Sequence, residues 1–168
     1  MAERRIVNIA DLQLKELGDG ERFVARKARA GPIVGSTGIG CSLVVVPPGK
    51  SACPMHRHHV RDELFFVLEG EGLARLDGER VPIRAGDIIA APAGKEAHQI
   101  LNTGRVELRY LALSVENPVD IIEYPDSGKV AVGAGFIPGA LPSIDLLGRI
   151  TPASYYDGEE AEPPGEAF

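Results

Sequence analysis

The sequence predicts an all-β fold of antiparallel strands, a barrel or sandwich, on three observations. Short runs of β-favouring residues follow one another from residue 41 to about 115. Turn signals rich in Gly, Pro and Asn separate them, and little helical periodicity lies between. "CSLVVV", starting at Cys41, stops at Pro47-Pro48-Gly49. "ELFFVLEG" runs from Glu63 to Gly70. "LARL" meets "RVPI" across Asp77-Gly78-Glu79, where Asp-Gly favours a tight hairpin. "DIIAAP" follows Gly86, "AHQIL" ends at Asn102-Thr103-Gly104, and "VELRYLALS" closes the series.

The flanks read differently. A short helix is expected near Asp11–Leu17, with Asp11 as N-cap and Gly18 as stop, among Gly-rich turns. Beyond residue 115 the rhythm is lost in a Gly- and Pro-rich stretch that ends in the acidic "YYDGEEAEPPGEAF", expected to be exposed. The 168 residues suit one domain. Its barrel core spans about 41–115, and an N-terminal extension (1–40) and a C-terminal tail (116–168) pack on it or on a partner subunit.

A net charge of -6 argues against nucleic acid or an anionic membrane as partner. No apolar run approaches the ~18 residues of a spanning helix, and the N-terminus lacks signal-peptide features, so a cytoplasmic location is expected. Cys41 and Cys53 make no disulfide framework.

Three of the four histidines stand together in "CPMHRHHVRDELFFVLEG". His56 and His58 share a face if the segment is extended, whereas His59 has the opposite parity and reads as outward. A four-residue bend precedes Glu63, which leads a strand. His98 is expected on a hairpin framed by Gly86 and Pro92-Ala93-Gly94. In a small barrel, three imidazoles and one carboxylate then meet. Such donors suit a divalent Fe, Mn, Ni, Zn or Cu ion without any thiolate, and the ion's residual positive charge suits polarisation of a substrate oxygen.

These segments resemble the two motifs of the cupin superfamily. The first is matched by Gly49, His56-Arg57-His58, Glu63 and Gly70, with a first spacer one residue longer than the commonest form. The second is matched throughout by Gly86, Pro92-Ala93-Gly94, His98 and Asn102. The resemblance implies a double-stranded β-helix, or jelly-roll barrel, with irregular N- and C-terminal extensions. It implies one divalent transition metal ion per subunit, held by His56, His58, Glu63 and His98, and a structural role for Asn102. "EYPDSGK" and "YYDGEEAE" add a likeness to bacterial single-domain cupins described as uncharacterised or sugar-phosphate-isomerase-like.

Alternation puts Phe65 and Val67 on the face of Glu63, and Ile100 on the face of His98, giving a mostly apolar pocket. Either Leu43/Val45 or Val44/Val46 joins it. Of Arg109 and Tyr110, Tyr110 is preferred inside, where its hydroxyl would meet a ligand or metal-bound water. Phe65, Ile100 and Tyr110 are thus the candidate substrate-pocket residues. A sugar phosphate would want convergent cations; Arg57 points away by parity, Arg61 is near in sequence, and Lys95 sits on a turn. The functional expectation is a metal-dependent enzyme acting on a small oxygenated molecule, of isomerase or dioxygenase type; the alternative is a non-catalytic module that binds metal or a small ligand. A homodimer is expected, because so small a sandwich leaves sheet edges and apolar surface to cover.

Overall fold

The computed structural model describes residues 5–135 and 141–159. Nearly all regular structure is β. In chain order the strands are β1 (Lys15–Asp19), β2 (Phe23–Arg29), β3 (Ile39–Val46), β4 (Arg57–His58), β5 (Glu63–Glu69), β6 (Glu71–Leu76) and β7 (Glu79–Arg84). They continue with β8 (Ile88–Ala91), β9 (His98–Leu101), β10 (Leu108–Val115), β11 (Val119–Tyr124), β12 (Lys129–Ala134) and β13 (Ile144–Gly148). A six-stranded sheet has the order β1-β2-β3-β10-β5-β8. The other two sheets run β7-β6-β9 and β13-β12-β11-β4.

The expected helix near Asp11–Leu17 is not formed. A 3-10 turn covers Ile9–Asp11, and its cap is Asn8, whose side chain accepts from the Ala10 amide. After residues 12–14 the chain enters β1, paired antiparallel with β2 from Lys15↔Lys27 to Asp19↔Phe23. Tertiary pairing overrides a weak local preference here. The C-terminal zone also differs from its reading as irregular. β11 and β12 form a hairpin around Pro125–Gly128, and β11 pairs with β4 through Ile122↔His58 and Glu123↔Arg57. The described part of the tail therefore holds one of the histidine-bearing strands. Its acidic end from residue 160, expected to be exposed, lies outside the described residues; Tyr155 and Tyr156, just before it, are exposed.

Register fixes what points inward. Across the large sheet Val44 faces Tyr110, which faces Val67; Ser42 faces Ala112, which faces Phe65; and Ser114 faces Glu63, which faces Ala91. These rows lie on the face whose buried side chains form the barrel core: Val44, Val46, Phe65, Val67, Leu108 and Tyr110, with Ile100 and Ala74 from the small sheet. Leu43 and Val45 point the other way, into a second cluster with Leu12, Ala28 and Ala30. β3 is apolar on both faces because it separates two cores.

Two motif residues have plain structural reasons. Gly70 has φ of 83°, and a Cβ there would stand 2.5 Å from the carbonyl oxygen of Glu107. Asn102 is buried; its side-chain amide donates to the Val46 and Val106 carbonyls, each at 2.8 Å, and its oxygen accepts from the Gly104 amide. It ties the end of β9 to that of β3, in keeping with its expected structural role.

Candidate metal centre

The two histidine segments meet directly. His56 and His98 face each other across a two-way backbone bridge, with N–O distances of 3.1 and 2.8 Å. His98 does not arrive on a hairpin, as expected. β8 pairs with β5 and β9 with β6, so the 92–97 connection crosses from one sheet to the other. The crossing sets the imidazole opposite β5, where Glu63 starts the inward row.

Glu63 Oε2 is the centre of the group. It lies 3.0 Å from His98 Nε2, 3.4 Å from His58 Nε2 and 3.6 Å from His56 Nε2. His56, Glu63 and His98 each place one ligand atom within 4.8 Å of the others'. His58 joins them through Glu63. All four side chains are largely buried. Ligand atoms at right angles around an ion, each about 2.1 Å from it, stand about 3 Å apart. The Glu63–His98 distance of 3.0 Å matches that edge length, and the distances to His58 and His56, 3.4 and 3.6 Å, are longer.

The chemistry of the donors fits a cation as well. His56 Nδ1 is 2.9 Å from the Pro54 carbonyl, and His58 Nδ1 is 2.5 Å from Asp120 Oδ2. Both Nδ1 atoms must donate, because their partners only accept. In the neutral rings both Nε2 atoms then turn lone pairs toward a carboxylate. Such a group requires a positive charge at its centre, a proton or a metal ion. Without metal, the proton sits on His56: burial opposes it, but the Cys53 and Glu63 side chains prevail and push the pKa up to about 10. Burial would raise Glu63 too, yet hydrogen bonds from His56 and His98 hold its carboxyl well below the usual carboxylate range. His98 is lowered, chiefly by burial.

Asp120 was not legible as part of this site. It is buried on β11, and Arg61 also stands 3.5 Å from its Oδ2. β11 also brings Tyr124, whose ring lies near-parallel to His56 with centroids 6.2 Å apart. The only available signal was the alternating "VDIIEY", hidden beside Gly- and Pro-rich sequence.

A cavity of about 390 Å³ opens on the group, lined among others by His56, His58, Glu63, Phe65, Tyr110 and Cys53. Phe65 and Tyr110 stand where alternation put them; Tyr110 is buried and meets Phe65 edge-on at 5.9 Å. Arg109 points out toward Glu69. Ile100 is a core residue that does not line the cavity, because its side chain packs among the barrel's apolar residues. His59 faces Glu123 at 3.3 Å, outside the group, as its parity implied. Arg57 points toward Asp77 and Glu123. A second cavity of about 820 Å³ shares Arg29, Gly40, His58, Arg61 and Glu116 with the first and is also lined by Asp120.

Residues 42–115 match the family model for the cupin domain, Cupin_2. The chain carries a cupin domain. Over 70 residues it is 40% identical to an oxalate-binding protein of Thermotoga maritima, covering 42% of this chain and 56% of that one. Over 120 residues it is 31% identical to a quercetin 2,3-dioxygenase of Bacillus subtilis, covering 64% of this chain and 36% of that one. The chain thus spans about half the length, or less, of these curated relatives. A solved structure of a proposed sugar phosphate isomerase from Acidithiobacillus ferrooxidans superposes with a TM-score of 0.75 at 23% identity, covering 89% of this chain and 98% of that one. That likeness shows the jelly-roll fold and extends it across both flanks of the cupin domain. Among the described residues no helix is long and apolar enough to cross a membrane.

Proposed function

We propose that this cupin binds one divalent transition metal ion per subunit through His56, His58, Glu63 and His98, and that it is a metal-dependent enzyme acting on a small oxygenated molecule. The observation that carries this is the convergence of three Nε2 atoms within 3.6 Å of Glu63 Oε2 beside a cavity. When bound, the ion supplies positive charge that polarises a substrate oxygen. The protein's residues do the rest. Asp120 orients His58, and the Pro54 carbonyl orients His56. Phe65 and Val44 line the cavity with apolar surface that limits water. Tyr110 presents the hydroxyl that would hold a ligand oxygen. The names of the relatives, an oxalate-binding protein and a dioxygenase among them, support oxygenated ligands without choosing between isomerase and dioxygenase chemistry.

The second reading is a non-catalytic binding module, favoured by the likeness to the oxalate-binding protein. Metal-loaded protein assayed on sugar phosphates, keto acids, diketones and phenolics separates the two. Turnover that needs the metal establishes the enzyme; metal uptake without turnover establishes the module.

The proposed partners are a small-molecule ligand and a second copy of the chain. Support for the second copy comes from the edge strand β13, exposed along its whole length with Ile144, Leu146 and Leu147 uncovered among the described residues. The proposed setting is the cytoplasm, in keeping with two free cysteines.

A further inference from the structure

The cavity has a cationic wall that the cupin motifs do not include. Lys27 and Arg29 sit on β2, upstream of the matched family segment. Lys27 faces Val44 and Arg29 faces Ser42 across the β2–β3 ladder. Val44 is a barrel-core residue, and Ser42 is on its face of β3. The two cations therefore continue the inward row begun by Ala25, on the same sheet face as Glu63, and both line the 390 Å³ cavity.

Both are exposed, the Arg29 side chain to 67%, so they stand at the rim of the cavity rather than deep inside it. β2 lies between β1 and β3 and is not an edge strand, so the lysine guards no edge. Lys27 stands directly opposite Lys15 of β1, an unfavourable like-charge pair. No ion pair of Lys27 occurs among the described residues. The nearest acid to Arg29 is Glu116, at 3.8 Å, and Glu116 is shared with Arg61, at 3.5 Å. Arg61 is in turn engaged with Asp120 and the Asn117 carbonyl. One carboxylate is thus divided between two guanidinium groups, and Lys27 and Arg29 have between them a single paired acid among the described residues, at 3.8 Å.

We propose that the cavity takes an oxyanionic ligand, a small carboxylate or phosphate compound, whose acidic group is held by Lys27 and Arg29 while its other end faces the His/Glu group. This rests on the reading that the His/Glu group marks the ligand site, and it narrows the substrate class from oxygenated to anionic. Arginine's planar fork suits either oxyanion, and the lysine adds a point charge. From β2 to β5 is three strand spacings, about 14 Å along the sheet, a gap that the long Lys27 and Arg29 side chains and the ligand span together.

The test uses full-length metal-loaded protein at low salt, with glycerol 3-phosphate, malonate and neutral glycerol as probes in titration calorimetry. At least one anion is expected to bind ten-fold or more tightly than glycerol. A Lys27→Met/Arg29→Met variant is expected to lose at least ten-fold of that affinity while keeping its metal content and melting temperature. The single variants Lys27→Gln and Arg29→Gln give intermediate losses, and they carry the test if the double variant does not fold. A preference for glycerol 3-phosphate assigns phosphate, and one for malonate assigns carboxylate. Equal binding of glycerol and both anions overturns the proposal, as does undiminished anion binding in folded variants. Metal content separates the two levels: protein that takes up no metal yet binds anions through Lys27 and Arg29 overturns the metal reading and keeps the anion site.

Discussion

His58 Nδ1 lies 2.5 Å from Asp120 Oδ2, and this contact joins a residue of the cupin motif to a strand outside the cupin domain. A buried carboxylate behind an imidazole locks the ring's tautomer and raises the basicity of the nitrogen facing inward. Asp120→Asn is therefore predicted to weaken metal affinity by about 10–100-fold with the fold intact. A chelator competition on the folded variant measures it. Affinity equal to wild type would show that Asp120 only serves packing.

Metal-free protein has a predictable pH optimum of stability. The pKa of His56 is raised on folding from 6.5 to about 10, so its contribution is complete below pH 6.5 and is lost as pH rises through 10. Glu63 is held below its ordinary 4.5, so its contribution is complete above pH 4.5 and is lost as pH falls through the folded value. Both act fully between pH 4.5 and 6.5. His98 is lowered, so its contribution is complete only above pH 6.5 and declines below it; the melting temperature of apoprotein should therefore be highest near the upper end of that window and fall toward alkaline pH. Metal loading should remove the alkaline fall, because the ligand is the neutral imidazole. An apoprotein whose melting temperature climbs from pH 6.5 toward 10 contradicts the assignment of the proton.

Gly70→Ala tests the turn between β5 and β6. Its positive φ and the close Glu107 carbonyl both penalise a side chain. A loss of about 2 kcal/mol is expected in denaturant unfolding. The folded fraction should still take up metal, since the group lies at the far end of β5. A neutral result would mean that the turn relaxes freely.

The dimer is a separate prediction. Light scattering at micromolar concentration should give twice the chain mass, and Leu146→Lys with Leu147→Glu on β13 should shift it toward the single chain. Single-chain mass for the wild type would leave β13 as merely an exposed edge.

Much of the centre was legible from spacing. The 56/58 parity and the strand led by Glu63 bring those side chains together, because alternation is a local property of strands, whereas His98 reaches them by a sheet-to-sheet crossing rather than on the expected hairpin. Alternation said only that one of Arg109 and Tyr110 faces inward; Tyr110 was preferred for its aromatic body and hydroxyl, and it is the buried one. Three things were not legible. The face of β3 was ambiguous because both its faces are buried in apolar clusters. The start of β1 looked helical because only its pairing with β2, far from any local signal, makes it extended. Asp120, Lys27 and Arg29 were missed because they lie on flanking strands, and only tertiary register brings Asp120 against His58 and Lys27 and Arg29 to the cavity.

The most direct test is the metal content of untagged protein beside His58→Ala and Glu63→Gln variants. One equivalent of a transition metal per chain in the wild type, lost or sharply reduced in both folded variants, is the predicted result. Wild-type protein that holds no metal and takes none up when offered Fe, Mn, Ni, Zn or Cu would contradict the account, leaving the histidines as a proton-bridged cluster in a binding barrel.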